Sequence, residues 1–304
     1  MPIVPFDRIR DYYQFMKLMH GAFGWAESPE RVAKVRRLDP RFRDPFGFAL
    51  QEGKHLLGFV GTVDVPMQTS AGNVELVGGI HSVATDPDAA RSGVATKLLE
   101  YSHRFFRRRG YRFSFLCTSR ALVAHRIYEH LGYADIRSLE QYPRAYRSFP
   151  ERKGKTPRSG RKPHYRLIQR IFTRAVRDRT GCAVRSPNWP RAICETRDLK
   201  PENVVVHPEG YAFTSTWSRT LFIDEWQALS RAACESIYER LEKHRKSAWI
   251  VGQVDGELLK SFLTEKGFSF AYGRYQVRMV KPLGRASFES VFGDRFSFAV
   301  LDSF

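Results

Sequence analysis

Cysteine is scarce in this chain: 4 residues in 304, at Cys117, Cys182, Cys194 and Cys234. No two of them form a C-x-x-C pair, and no histidine stands nearby at ligand spacing. This excludes a disulfide framework and gives no zinc site, so no metal is expected. Long apolar runs are missing too. Nothing approaches the roughly 18 residues that a membrane-spanning helix needs, and the opening MPIVPFDRIRDYY lacks the apolar core of a secretory leader. The expectation is a cytoplasmic protein with no membrane span. Acidic side chains are also under-represented, 32 against 50 Lys and Arg, which leaves a net charge of +18.

That excess is local. Residues 1–143 carry 20 basic and 15 acidic side chains and residues 180–304 carry 17 and 15, whereas 144–179 alone hold 13 basic and 2 acidic. The charge therefore belongs to one connecting segment, which weakens any reading of the whole chain as a nucleic-acid binder. What is present in quantity is apolar surface, 42% of residues with 13% aromatic. At this length it suits two domains with real cores.

The first portion alternates strand-like and helix-like patterns, predicting an α/β (α+β) domain. A short strand near Ile3 precedes a helix to about Phe23, and Ser28-Pro29-Glu30 caps a second. Two strands flank the turn Glu52-Gly53-Lys54. A third runs from Val74 to Thr85, followed by a helix from about Gly93 to Arg108, a strand Phe113–Cys117, a helix from about Ala121 to Leu131 and a last strand from Tyr133.

The run PRAYRSFPERKGKTPRSGRKPHY reads as a linker. It leads into an amphipathic helix with Ile168, Ile171 and Phe172 on one side and Arg166, Arg170, Arg174 and Arg177 on the other. That basic side is either a solvated face or one turned to an anionic partner. The second portion repeats the order of the first, with Gly267-Phe268 standing where Gly132-Tyr133 stood. Its helix is expected from Glu225, directly after a strand Leu221–Ile223. The expected division is 1–145, a basic linker 146–164, and 165–304.

Chemistry concentrates in HSVATDPDAARSGVATKLLEY. A strand enters a tight loop and then a helix whose first amides have no intrahelical partner, which suits a phosphate. Gly93 permits close backbone approach, Ala95 keeps the entry open and Arg91 adds a charge. About thirty residues on comes AHRIYEHLGY, a helix bearing Tyr128 and ending in Gly-Tyr.

Together these segments resemble the GNAT superfamily of N-acetyltransferases over residues 1–143, most specifically between Ile80 and Tyr133. The resemblance implies a mixed sheet flanked by helices and acetyl-coenzyme A as cofactor. Ala90-Arg91-Ser92-Gly93-Val94-Ala95 falls on the family's pyrophosphate loop, although Ala90 stands where a long polar residue is usual. On this likeness Val83, Ala84 and Thr85 lie on the strand that pairs with pantetheine. Arg91, Ser92, Gly93, Val94, Ala95 and Thr96 hold the pyrophosphate, and Tyr128 returns a proton to the departing thiolate. Ala121 replaces the asparagine often found seven residues before that tyrosine.

The reaction needs a proton acceptor as well as a donor. Gly79 occupies the position of the glutamate that some members use, which leaves His81, on the same strand face, as the candidate base or else as a packing residue. Glu75 and Asp64 are weaker candidates, and water also suffices. The tandem arrangement looks like the enhanced-intracellular-survival type of acetyltransferase, with the second unit a degenerate, non-catalytic copy. In that type the C-terminal carboxylate reaches the active site, and this chain ends at Phe304. The expected acceptor is a small-molecule or peptide amine. The alternative is a non-catalytic protein that senses coenzyme A or binds nucleic acid through its Arg-rich linker. Oligomeric state is not readable.

Overall fold

After a short strand β1 (Ile3–Pro5), the first two helices start where the sequence supplies an acceptor for an unpaired amide. Asp11 Oδ1 accepts from Tyr13 N–H ahead of α1 (Tyr12–Phe23), and Ser28 Oγ from Arg31 N–H ahead of α2 (Pro29–Leu38). The computed structural model describes residues 1–25, 27–42, 45–146, 163–242, 248–252, 254 and 256–302. Most of the basic linker (147–162) and the C-terminal Phe304 lie outside the described residues.

β2 (Gly47–Glu52) and β3 (His55–Gln68) form the expected hairpin, and β3 pairs antiparallel with β4 (Val74–Thr85). Then come α3 (Val94–Arg108), β5 (Phe113–Thr118), α4 (Val123–His130) and β6 (Ala134–Ala145). The remaining elements are α5 (Tyr165–Ala175), α6 (Trp189–Thr196), β7 (Val204–His207), β8 (Gly210–Trp217), β9 (Thr220–Ala228), α7 (Arg231–Glu242), β10 (Ala248–Gly252), α8 (Glu257–Glu265), β11 (Ala271–Pro282) and α9 (Phe288–Phe292).

Compactness divides the chain differently from its linear order. One unit comprises 1–137 together with 275–294, and the other 138–274 with 295–303. The chain leaves the first unit within β6 and re-enters it within β11. In the first unit Val277–Pro282 of β11 pair antiparallel with Thr118–Phe113 of β5. In the second, Gln141–Ala145 of β6 pair antiparallel with Gly252–Ala248 of β10.

In the first unit the sheet is covered on both faces. Leu98, Leu99 and Phe106 of α3 and Tyr128 of α4 pack with Ile80, Leu116, Val277 and Met279 on one side. Phe15, Leu18 and Met19 of α1 and Val32 of α2 pack with Ala49 and Phe59 on the other. Glycine in the strands makes room: a Cβ on Gly78 would lie 2.6 Å from the Phe106 ring.

From β7 onward the second unit repeats the strand and helix order that the first unit has from β2 onward. β7, β8 and β9 are antiparallel neighbours and β9 is parallel to β10 across α7. β2, β3, β4, α3 and β5 have the same relation. Even the bulges correspond: Ser82-Val83 stand opposite the single Val60, and Asp224 is the extra residue opposite the Phe213–Thr214 step.

The helix expected from Glu225 is a correction. Asp224–Ala228 continue β9, because Glu225 turns inward to the buried Arg185, at 2.8 Å from Nη1, and receives the Tyr211 hydroxyl. Arg185 also reaches Asp302 at 2.9 Å and lies 3.5 Å from the ring centres of Phe172 and Trp189. Two acids and two aromatic faces thus satisfy this buried guanidinium, and α7 begins only at Arg231.

Candidate active site

β4 and β5 run side by side only at Gly78–Ser114 and Gly79–Phe115. Beyond that step β4 continues to Thr85 beside β3, whereas Leu116–Thr118 lie against β11. The strands part and leave a wedge. Asp86 N–H donates to Leu57 O at 2.9 Å, so the peptide groups of residues 84 and 86 face β3. Peptide groups alternate edges along a strand, so those of Val83 and Thr85 face the wedge. An extended chain carrying amides can add itself there as another strand.

The bulge sets the side chains. Ser82 takes a φ of 49°, after which Val83 turns toward the α3 and α4 core and Ala84 toward the α1 side. His81 precedes the bulge and points away from α3. Its ring lies over Gly61, where a Cβ would come within 2.2 Å, and edge-on to Phe42 and Phe46. Nδ1 is 3.1 Å from Ser82 Oγ. Burial removes the water that would solvate a cation and lowers its pKa to about 4, so the ring is neutral at pH 7.

Between β4 and α3 the loop is held from within. Asp86 Oδ1 accepts from Asp88 N–H, and Ser92 Oγ donates to Ala89 O at 2.6 Å. Arg91 and Gly93 take φ values of 63° and 78°, which fold the backbone back before the helix. Gly93 is the N-cap and brings no side-chain acceptor, so nothing of that kind occupies the first-turn amides of Val94, Ala95 and Thr96. Arg91, Ser92 and Gly93 are exposed, and a methyl group on Gly93 would meet nothing within 4 Å. Val94, by contrast, is buried over Gly58, where a Cβ would lie 2.4 Å from Val94 Cγ1. The positive end of a 15-residue helix therefore opens on solvent at the end of the free β4 edge.

Tyr128 and Tyr133 come from one short stretch and end in opposite situations. Tyr133 is buried, its hydroxyl 2.9 Å from His103 Nε2 and 2.6 Å from Ser114 Oγ. Tyr128 lies edge-on to it at 5.9 Å, ring buried, yet its hydroxyl has no hydrogen-bond partner among the described residues. Burial raises the Tyr128 pKa to about 12, so the phenol keeps its proton.

The other proposed acids are engaged. Asp64 accepts the Tyr111 hydroxyl at 2.7 Å, and Glu75 pairs with Arg112 at 3.0 Å. Glu75 is moreover ten residues back along β4 from Thr85, about 33 Å in an extended strand. The His103–Tyr133–Ser114 chain is a feature that sequence reasoning missed. His103 reads as one polar residue beside an apolar helix stripe, and nothing local links it to Ser114. Among the described residues no cluster of three or more His, Cys, Asp or Glu side chains has the makings of a metal site, and no helix is long and apolar enough to cross a membrane.

Known proteins supply an independent comparison. The family described as "Acetyltransferase (GNAT) domain" matches residues 8–136. No curated protein matches the sequence. Among solved structures, a protein of Enterococcus faecalis described as a probable N-acyltransferase aligns with a TM-score of 0.68 at 16% identity, over 93% of this chain and 72% of its own. Eis1 from Mycobacterium abscessus aligns at 0.63 and 16%, over 93% and 74%. A putative acetyltransferase of Pyrococcus horikoshii aligns at 0.56 and 12%, over 97% and 94%. At these identities the likeness is one of fold.

Proposed function

We propose, from the premise that residues 8–136 form a domain of the GNAT acetyltransferase family, that the chain transfers acetyl from acetyl-coenzyme A to an amine. The observation that carries this is the wedge. An edge of free β4 peptides at Val83 and Thr85 leads away from an exposed, uncapped helix start at one end. Tyr128, on α4 over the same sheet face, has an unengaged hydroxyl.

The donor set fits the cofactor's parts. Val83 and Thr85 offer peptide groups to the pantetheine amides, with Ala84 between them facing β3. The amides from Arg91 to Thr96 take the diphosphate, and the Arg91 guanidinium, exposed beside them, adds a cationic contact. When bound, acetyl-coenzyme A supplies the activated acetyl group. Tyr128 holds a proton at its phenolic oxygen and is the donor for the leaving thiolate. His81 belongs to the packing against Phe42 and Phe46 and is not the base, because burial opposes the cation that it would have to become. Water accepts the proton of the attacking amine, which is a small molecule or a peptide. The protein acts in the cytoplasm.

The second unit is proposed to be non-catalytic. Only Leu229 and Ser230 separate β9 from α7, against Asp86–Gly93 between β4 and α3. The Ser230 hydroxyl accepts from Ala233 N–H at 3.3 Å, so a side chain fills the place an anion would take.

Calorimetric titration with coenzyme A, together with a thiol-release assay across an amine panel, tests the proposal. One molecule bound per chain and amine-dependent thiol release are expected. Folded protein that gives no binding heat at about 1 mM ligand, an affinity of about 4 kcal/mol or less, overturns it.

A further inference from the structure

The basic face of α5 has a built geometry that acetyl transfer does not use. Arg166, Arg170 and Arg174 are exposed, and each successive residue of the three lies about 6 Å further along the helix and about 40° further around it. The guanidinium groups thus form one stripe, which Arg177 extends. Among the described residues no carboxylate lies within ion-pair distance of these first three, whereas Arg191 on neighbouring α6 is paired with Glu195 at 2.6 Å.

The opposite side of the helix is taken. Ile168, Ile171 and Phe172 are buried with Trp189, Ile193, Tyr211 and Phe213 in the core of the second unit. A helix lying in a membrane surface needs its apolar face for the acyl region. Here that face is unavailable, and only the charged stripe is left for a partner. The partner chemistry that matches is a regular row of phosphates, for which guanidinium is the better donor because its planar fork makes two bonds to one phosphate.

We propose that α5 binds the phosphodiester backbone of nucleic acid, without sequence preference, through Arg166, Arg170 and Arg174. The contact is independent of the wedge, and acetyl transfer does not depend on it. Duplex DNA and single-stranded RNA share the backbone chemistry and form two arms of the test.

The experiment is fluorescence anisotropy of the full chain with a labelled DNA duplex and a labelled RNA strand, each of about 20 nucleotides, between about 50 and 200 mM salt. Each phosphate neutralised contributes about 0.9 to the logarithmic salt slope for duplex and about 0.7 for single strand. The triple variant Arg166→Gln, Arg170→Gln, Arg174→Gln is expected to lose about 2 to 3 from the duplex slope and at least about tenfold in affinity at low salt. Arg170→Gln alone should lose about 1, which keeps the test valid should the triple variant fold poorly. A control triple at the exposed Arg10, Arg285 and Arg295, also changed to glutamine, should leave the slope alone. Wild-type protein that binds neither probe at the lowest salt overturns the proposal. So do a stripe variant whose slope is unchanged, equal losses in stripe and control variants, and a wild-type chain that takes anionic vesicles but no nucleic acid.

Discussion

Two tyrosines five residues apart show how position decides chemistry. Tyr133 has its hydroxyl engaged by both His103 Nε2 and Ser114 Oγ and is spent on holding α3, β5 and the start of β6 together. Tyr128 shares the same core, but its hydroxyl is left over. A buried ring with an unengaged hydroxyl is what a proton donor needs: burial keeps the proton on and the missing bond leaves it deliverable. Removing only that oxygen, in Tyr128→Phe, should lower kcat by about a hundredfold, the lower end of what a positioned acid contributes. The KM for acetyl-coenzyme A should stay within about twofold, because the ring and its packing survive. The pH dependence carries a sign. With the phenol raised to about 12, it is protonated throughout the working range, so rate should rise as the amine loses its proton and should not fall again near pH 10. Steady-state kinetics from pH 6 to 11 measure both. A wild-type descending limb centred near 10 would show that burial does not raise the phenol, and a phenylalanine variant of full rate removes Tyr128 from the reaction.

At the scale of elements, the decisive unit is strand, loop and helix from His81 to Thr96. Gly93 sits there with a left-handed φ of 78° in open space, so electrostatics at this position can be separated from packing. Asp tolerates the left-handed region better than most residues and is a good N-cap. Gly93→Asp is strained by that φ and should lower the melting temperature by only a few degrees, while placing a carboxylate where the diphosphate is proposed to bind. Calorimetry should show acetyl-coenzyme A affinity reduced by at least about tenfold, or about 1.4 kcal/mol; unchanged affinity would move the anion elsewhere. This element was legible in the sequence because its signals are local: alternation up to Thr85, Asp-Pro as a stop, glycine at the cap. The start of α7 was not. Asp224-Glu225 looks like an acidic first turn, and only the partner strand reveals that Asp224 is a bulge and that Glu225 faces a buried arginine forty residues earlier in the chain. The surroundings of His81 were hidden for a similar reason, since the phenylalanines that bury it come from a different loop.

The whole molecule raises a question that no local pattern answers, namely what completes each sheet. Periodicity shows that Val277–Pro282 make a strand but not which edge they join. The strand pairs with β5, and the segment brings Val277, Met279, Val280, Leu283, Phe288 and Phe292 into the first unit as buried side chains. Each such side chain contributes about 2 kcal/mol by its burial, so the six together rival the entire 5–15 kcal/mol by which a domain is stable. A chain cut after Ala145 keeps every residue proposed to hold acetyl-coenzyme A, yet it exposes one edge of β5 and the Phe113 ring that Phe288 and Phe292 cover. It should lack a cooperative melting transition and bind no coenzyme A. Joining residues 275–294 to that fragment through a flexible linker should restore part of both, because the missing strand then returns at high effective concentration. Differential scanning calorimetry and coenzyme A titration of the two fragments decide the matter. A fragment 1–145 that melts cooperatively and binds as tightly as the full chain would show that the first unit owes β11 nothing.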